Sequence, residues 1–159
     1  TRSGNNESQY DPYCMYVSAA EGGEAIKRWQ QEIWNDFAAH MAWTTTSEYS
    51  AVNHHPTAIV DGHDDMNCIY KKVKAGRDME FDASASYDPD GNPLDFRWEI
   101  YAEPSTYKGK VNMESGDSPK CRIHIPAEAS GKSLHVILSL TDRGTPALTA
   151  YKRIVVQVL

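Results

Sequence analysis

The sequence predicts a mainly β protein, in which one amphipathic α-helix precedes an immunoglobulin-like antiparallel β-sandwich of about seven strands. Two observations in residues 56–159 predict the sandwich. Apolar side chains recur at every second position in several short runs. Turn-forming sequences such as DPDGNP, SGDSP, EASGK and DRGTP separate these runs. No helical pattern lies between the runs, which excludes a parallel sheet with crossover helices.

Six segments carry the strand pattern. The clearest, PLDFRWEIY, places Leu94, Phe96, Trp98 and Ile100 on one face and mostly charged residues on the other. We expect the Trp98 ring in the core, because the apolar face must be hidden from water. The remaining segments are RDMEFDASA, GKVNME, CRIHIP, SLHVILSLT and KRIVVQV. A slip of one residue would expose each apolar row, so the alternation fixes the strand register.

A helix and a linker are predicted before the sandwich. In GGEAIKRWQQEIWNDFAAHMAWT, apolar residues recur at steps of three and four, as in an amphipathic helix: Ile26, Trp29, Ile33, Phe37, Ala38 and Met41. This stripe needs a partner surface, either the sandwich or something absent from this chain. Residues 44–56 end in a proline and are interpreted as a linker. The first twenty residues are interpreted as loop, so we place the boundary between a loop-and-helix region, 1–55, and the sandwich, 56–159.

Composition and cysteine usage exclude several classes. The net charge of −6 argues against nucleic acid as a partner, because a phosphate-binding surface needs a basic field. No apolar run is long enough to span a membrane. The polar start TRSGNNESQY does not resemble a signal peptide and lacks Met, so we expect a processed or trimmed product in which any export signal would already have been lost. Cys14, Cys68 and Cys121 form no CxxC pair, and either one disulfide or three reduced thiols would fit.

Acidic residues in two turns are candidate calcium ligands. Asp88 and Asp90 lie two positions apart in DPDGNP, and Asp142 lies in the TDRG turn. Their oxygens could converge on Ca²⁺ if both turns share one end of the sandwich. Asp-Pro and Asp-Gly also form turns without any metal. A second acidic cluster, VDGHDD at 60–65 with His54 and His55 nearby, has carboxylates and an imidazole that could bind a metal, but it is interpreted as a polar loop between strands.

Aromatic side chains are candidate carbohydrate contacts, because the apolar face of a sugar ring packs on exposed Tyr or Trp rings. Tyr101 lies on the strand face opposite Trp98, Tyr107 lies in the following loop, and Trp43 lies near the helix end. Scattered surface tyrosines are also common without any function. No G-x-S-x-G or phosphate-binding glycine motif is present, so we predict that this chain is not itself an enzyme.

Several of these segments resemble known families. FDASASYDPDGNPLDFRWEIY resembles the B-to-C region of PKD-like domains, although the WDFGDG typical of PKD repeats is replaced by EIYAEPSTYKG. LSLTDRGTPALTAYKRIVVQV resembles the F-to-G hairpin of PKD and cadherin-like domains. The order of IKRWQQEIWNDFAAHMAW, NHHP and the sandwich resembles the C-terminal part of a bacterial family of cellulose-binding proteins. Members of that family carry a nucleoside-hydrolase-like N-terminal domain.

The last resemblance implies that residues 1–55 are the tail of an upstream nucleoside-hydrolase-like domain. It implies a non-catalytic sandwich that binds cellulose or a related polysaccharide, or positions the upstream domain, in a secreted, periplasmic or cell-surface protein. No cofactor is expected, calcium being the one candidate. Two alternatives stay open: a C-terminal fragment of a nucleoside-hydrolase-like glycosidase with its active site upstream, and a protein–protein or spacer module.

Overall fold

The computed structural model describes residues 26–159. The chain divides into two compact units, Thr1–Trp34 and Asn35–Leu159. Helix α1, Gln30–Trp43, begins in the first unit and ends in the second. The loop predicted for the first twenty residues, the start of the predicted helix pattern and Cys14 lie outside the described residues. The boundary after residue 55 stays a prediction.

Within residues 26–159, seven strands form two facing sheets, which confirms the predicted immunoglobulin-like sandwich. The strands are β1 Ile69–Val73, β2 Asp78–Asp82, β3 Leu94–Ile100, β4 Asn112–Glu114, β5 Lys120–His124, β6 Ser133–Asp142 and β7 Thr149–Val158. One sheet has the order β1-β7-β6-β3 and the other β2-β5-β4. Two short 3₁₀ helices, Tyr49–Ala51 and Ala127–Ala129, lie in the connections.

The core lies between the sheets and is filled by the alternating apolar side chains. Phe81 of β2 and Trp98 of β3 stack across the sandwich with ring centroids 5.6 Å apart. Trp98 is 4% exposed, and its indole Nε1 donates to the carbonyl of Ser118 at 2.9 Å. The prediction that Trp98 belongs to the core is confirmed. Burying both the ring and a satisfied N–H makes Trp98 a central stabilising residue.

Strand β1 was not among the predicted segments. It pairs with β7 in parallel, from Ile69 opposite Ile154 to Val73 opposite Val158, so the sandwich is not wholly antiparallel. The alternation of apolar residues is broken in IYKKV, because the inward position between Ile69 and Val73 is occupied by the charged residue Lys71. The Lys71 ammonium lies 5.5 Å from the Phe81 ring centroid and pairs with Asp61. A lysine stem can cover apolar surface while its head reaches a carboxylate.

The end of the segment interpreted as a linker contacts the sandwich, whereas most of residues 44–51 are exposed. Asn53 and Pro56 are buried. The Trp43 indole Nε1 donates to the carbonyl of Asn53 at 2.8 Å, and the Asn35 side-chain amide donates to the carbonyl of Ala147 at 2.9 Å. These two hydrogen bonds hold the C-terminal part of α1 at one end of the sandwich, the end formed by the loops before β3 and between β6 and β7, which we call the loop end.

Two of the three cysteines lie in the described part of the chain, and both are free thiols. Cys121 is buried in the core, and desolvation raises its pKa to about 11. Cys68 is half-buried. Across residues 26–159, no helix combines the length and the apolar character that crossing a membrane requires.

Candidate functional site

The outer face of the four-stranded sheet carries three tyrosines, and we call it the tyrosine face: Tyr70, Tyr101 and Tyr151, with Arg153 and His135 between them. A row of neighbouring positions crosses the sheet. The Tyr101 N–H donates to the carbonyl of His135 at 2.7 Å, His135 pairs with Val155 of β7, and Val155 pairs with Tyr70 of β1. Tyr70 is 77% exposed and Tyr151 is 42% exposed. Alternation places these side chains away from the core.

Arg153 and His135, on the two central strands of this face, hold Tyr101 in place at its edge. The Arg153 guanidinium lies 2.6 Å (Nη2) and 3.1 Å (Nε) from His135 Nδ1, and its central carbon lies 5.7 Å from the Tyr101 ring centroid. Burial, with the nearby Arg153 charge, lowers the pKa of His135. The imidazole is therefore neutral at pH 7, with Nδ1 as the acceptor of the guanidinium. This cation–π contact restrains the tyrosine ring.

The three aromatic residues predicted to contact carbohydrate do not form one surface. Tyr107 is half-buried and packs against the core. Tyr101 lies at the end of β3 near Val136, whereas Trp43 bonds to Asn53 near Asp142, at the other end of the sheet. Seven residues of β3 separate these ends by roughly 20 Å. Trp43 and Tyr101 therefore cannot share one sugar-binding platform.

The loop end of the sandwich is organised by Asn53, and we call this arrangement the Asn53 junction. The Asn53 side-chain N–H₂ donates to both carboxylate oxygens of Asp142 at 3.0 Å and to the carbonyl of Pro146 at 2.9 Å. Its carbonyl oxygen accepts from the side-chain amide of Asn92 at 3.1 Å. Asp142 also accepts the backbone N–H of Gly144 at 2.8 Å. The junction joins Asn53 to the loops after β2 and β6.

The predicted calcium ligands Asp88, Asp90 and Asp142 all lie at this end of the sandwich. The two turns that carry them therefore share one end, as calcium binding would require. Asp88 Oδ1 accepts the backbone N–H groups of Asp90 at 3.0 Å and Asn92 at 2.9 Å, which is turn chemistry. Asp88 Oδ2 is buried without a hydrogen-bond partner. Asp142 is occupied by Asn53. In residues 26–159, no three His, Cys, Asp or Glu side chains cluster so as to hold a metal ion. Calcium binding stays a prediction.

Two carboxylates of the second acidic cluster, VDGHDD, form ion pairs with lysines of the sandwich. Asp61 pairs with Lys71 and accepts the backbone N–H of Asp82 at 2.9 Å. Asp65 accepts from Lys152, whose side chain is 2% exposed, at 3.0 Å. The hydrogen bond from Lys152 is the main reason that the pKa of Asp65 is lowered. These contacts support the loop interpretation.

An aromatic stack, formed by Trp43, His54 and Tyr49, borders the loop end. Trp43 and His54 stack with centroids 5.7 Å apart, and His54 and Tyr49 with centroids 3.6 Å apart. Tyr49 is 60% exposed. Beside it is a cleft of about 600 Å³ between the first 3₁₀ helix and the loops after β2 and β6, which we call the loop cleft. Tyr49 was not predicted as a functional residue, because it lies in the segment interpreted as a linker and nothing but its aromatic side chain sets it apart there.

Comparison with known proteins links this sandwich to carbohydrate-associated proteins. The family model described as "Cellulose-binding protein Sde0182, C-terminal domain" matches residues 78–158, from β2 to β7. A solved structure from Saccharophagus degradans, described as a nucleoside hydrolase-related hypothetical protein associated with carbohydrate metabolism, matches 84% of this chain with 42% identity and a TM-score of 0.83. The match covers 33% of that chain, so this chain spans about a third of its length.

Two further solved structures are more distant. The PKD domain from the KIAA 1837 protein has 16% identity and a TM-score of 0.42 over 57% of this chain and 78% of its own. Human CDH23 EC21-23 has 14% identity and a TM-score of 0.46 over 65% of this chain and 33% of its own. Comparison with curated proteins gave no match.

Proposed function

Because the chain belongs to the family of C-terminal domains of Sde0182-type cellulose-binding proteins, we propose that it is a non-catalytic module that binds cellulose or a related polysaccharide in an exported bacterial protein. The family match carries this proposal. The tyrosine face supplies a surface with suitable chemistry, since exposed aromatic rings pack on the apolar faces of sugars.

The spacing of the three tyrosines suits an extended ligand better than a single sugar. Tyr101 and Tyr70 lie three strand spacings apart, about 14 Å. Tyr151 lies four residues before Val155 on β7, about 13 Å along the strand. Arg153 stands between them with guanidinium donors that can reach hydroxyl groups. Rings at these separations would contact different sugar units of a polymer.

A pull-down of the full chain with insoluble cellulose, xylan and chitin tests the proposal. Tyr70→Ala and Tyr151→Ala together should lower the association constant for the retained polymer about tenfold, because each lost ring contact is worth about 0.5–1.5 kcal/mol. Tyr87→Ala is the matched control, since Tyr87 is 54% exposed and lies off the tyrosine face. Retention of the unmodified chain on none of the three polymers would refute polysaccharide binding.

A second function is favoured by α1: we propose that it packs against a hydrolase-like domain of the same polypeptide. Ile33 and Met41 of this helix are 51% and 53% exposed, in the apolar stripe that needs a partner surface. The Saccharophagus protein that this chain resembles is nucleoside hydrolase-related and about three times longer.

This second function is tested in the longer polypeptide. Ile33→Ser with Met41→Ser should increase proteolytic cleavage between the hydrolase-like domain and the sandwich, because the covering contact is lost. Tyr70→Ser, which removes an exposed ring from the sheet, is the control. Unchanged cleavage would rule out α1 as the contact. Nucleoside cleavage by the longer polypeptide, with and without residues 57–159, then measures whether positioning matters for activity.

A further inference from the structure

We propose that the loop cleft is a second saccharide site, which binds a segment of a soluble β-1,4-linked oligosaccharide. This inference rests on the proposed polysaccharide binding and assigns it a site separate from the tyrosine face. The cleft has a volume of about 600 Å³, within the range of ordinary small-ligand sites. Its lining combines one ring with polar side chains, namely Tyr49, Ser50, Asn53, Asp90, Asn92 and Arg143.

The Tyr49 ring is fixed in orientation before any ligand arrives. One face stacks on the His54 imidazole, with an interplanar angle of 5°. His54 is itself held by Asp90, whose Oδ2 accepts the His54 backbone N–H at 2.7 Å and whose Oδ1 lies 3.1 Å from Nδ1. His54 also stacks on Trp43, with ring centroids 5.7 Å apart. A ring that needs no ordering on binding offers its exposed face at a low entropic cost.

The polar groups of the cleft are also anchored. Arg143 forms a two-point contact with Asp95, with Nη2 at 2.7 Å and Nε at 3.0 Å from its oxygens. The Asn92 amide donates to Asn53. The Nη1 atom of Arg143 and the side-chain carbonyl oxygen of Asn92 take no part in these contacts, so a donor and an acceptor face sugar hydroxyls from anchored side chains.

The charge of the cleft favours a neutral ligand. Its lining holds one carboxylate, Asp90, and one guanidinium, Arg143, and the positive charge of Arg143 is already offset by Asp95. No excess of positive charge is left there for a phosphate or a uronic acid polymer. A neutral oligosaccharide can pack the apolar face of one sugar ring on Tyr49 while its hydroxyl groups bond to the polar side chains around the cleft.

Titration of the full chain with cellohexaose, xylohexaose and chitohexaose, followed by ¹H–¹⁵N NMR, tests the site. One of these probes should shift amide signals of residues 49–54, 90–92 and 143–145. Tyr49→Ala should weaken its binding about fivefold, through loss of the ring contact, and Tyr49→Phe should leave binding within about twofold. Arg143→Gln should weaken it as well. Tyr87→Ala and Arg122→Gln, at exposed sites outside the cleft, are the controls.

The outcomes separate this inference from the proposed function. Cellulose retention that resists Tyr49→Ala, together with weaker oligosaccharide binding, supports two sites. If the unmodified chain is retained on a polymer but no oligosaccharide shifts the cleft signals, the cleft inference is overturned and the proposed function stands. Oligosaccharide binding that follows Tyr70 and Tyr151 instead of Tyr49 overturns it as well. If neither polymer nor oligosaccharide binds, both the proposed polysaccharide binding and the proposed cleft site are refuted.

Discussion

The side-chain amide of Asn53 donates to both carboxylate oxygens of Asp142 at 3.0 Å, across a sequence separation of 89 residues. Both residues are buried, at 7% and 1% exposure. A carboxylate removed from water is stable only when donors replace the lost hydration. The Asn53 amide and nearby backbone N–H groups supply these donors. Asn53, near the end of the segment interpreted as a linker, is therefore bound to the loops of the sandwich.

Substitution of Asn53 by alanine should destabilise the domain by about 2–4 kcal/mol, because it leaves the Asp142 carboxylate buried with fewer donors. Urea unfolding of the full chain, followed by tryptophan fluorescence, measures this loss. Asn112→Ala, at an exposed position on β4, should change the unfolding free energy by less than about 0.5 kcal/mol. Equal stabilities of the two variants would contradict the role given to Asn53.

Substitution of Gly144 by alanine should also destabilise the domain. A β-carbon at this position would collide with the side-chain amide of Asn53, which is fastened by the junction. We expect a loss of about 1–3 kcal/mol, as for overpacking of a close-fitted site. Gly116→Ala is the control, because its added carbon would meet neighbours only at 3.4 Å or more. Thermal unfolding should show a lower midpoint for Gly144→Ala alone.

His135 should make the domain less stable at mildly acidic pH. Burial and the Arg153 charge lower its pKa in the folded state, so below about pH 6.5 the unfolded chain binds the proton more readily. The unfolding free energy should therefore fall as the pH falls from 7.5 to 5.5. The pKa of Asp95 is lowered by Arg143, and its contribution is lost only near and below its ordinary value of 3.8, outside this range.

The variant His135→Gln isolates this effect, because glutamine keeps an acceptor for Arg153 but does not titrate. Urea unfolding at the two pH values should give a smaller loss for the variant than for the unmodified chain. Parallel pH dependence in both would show that His135 is not the group responsible.

The two described thiols should differ in reactivity. Cys121 is 2% exposed, and its pKa of about 11 keeps it protonated at pH 8, whereas Cys68 is half-buried. In a Cys14→Ser variant, an aromatic disulfide reagent should label one thiol promptly at pH 8 and the second only when urea unfolds the chain. Adding Cys68→Ser should abolish the prompt reaction. Prompt labelling of both thiols would contradict a closed core around Cys121.

The same pKa shift has a consequence for stability in alkali. Above the ordinary thiol value of 9.0, the unfolded chain loses the Cys121 proton while the folded chain keeps it until about pH 11. Stability should therefore decline with rising pH across this window. Urea unfolding at pH 8 and pH 10 measures the decline, which a Cys121→Ala variant should lack.

The strands with strict alternation could be predicted, because each hides one complete apolar row. Trp98 shows this, since its side of β3 holds only apolar residues and it lies in the core. Strand β1 escaped prediction because Lys71 occupies an inward position, where its charge is matched by Asp61 from another segment. Alternation along one segment cannot predict an inward-facing lysine, because the carboxylate that pairs with it comes from another segment and is brought close only by folding.

The candidate surfaces could be predicted only in part. Tyr101 was expected on the face opposite Trp98, and the outer sheet face is where it lies. Tyr70 comes from β1 at the opposite edge of the sheet and Tyr151 from the interior strand β7, so only the register places them on the same face. Tyr49 and Asn53 lay in a segment without periodicity, and their roles depend on contacts with residues far along the chain.

The Asn53 junction also determines how the domain would carry tension. A pull on the C-terminal end of α1 passes through Trp43 to Asn53, and from there through hydrogen bonds to Asp142, Pro146 and Asn92. These anchors adjoin β3, β6 and β7, so the load is shared among three strands of one sheet and no single edge strand is peeled away first. In a force-extension experiment on the full chain, Asn53→Ala should accordingly lower the rupture force.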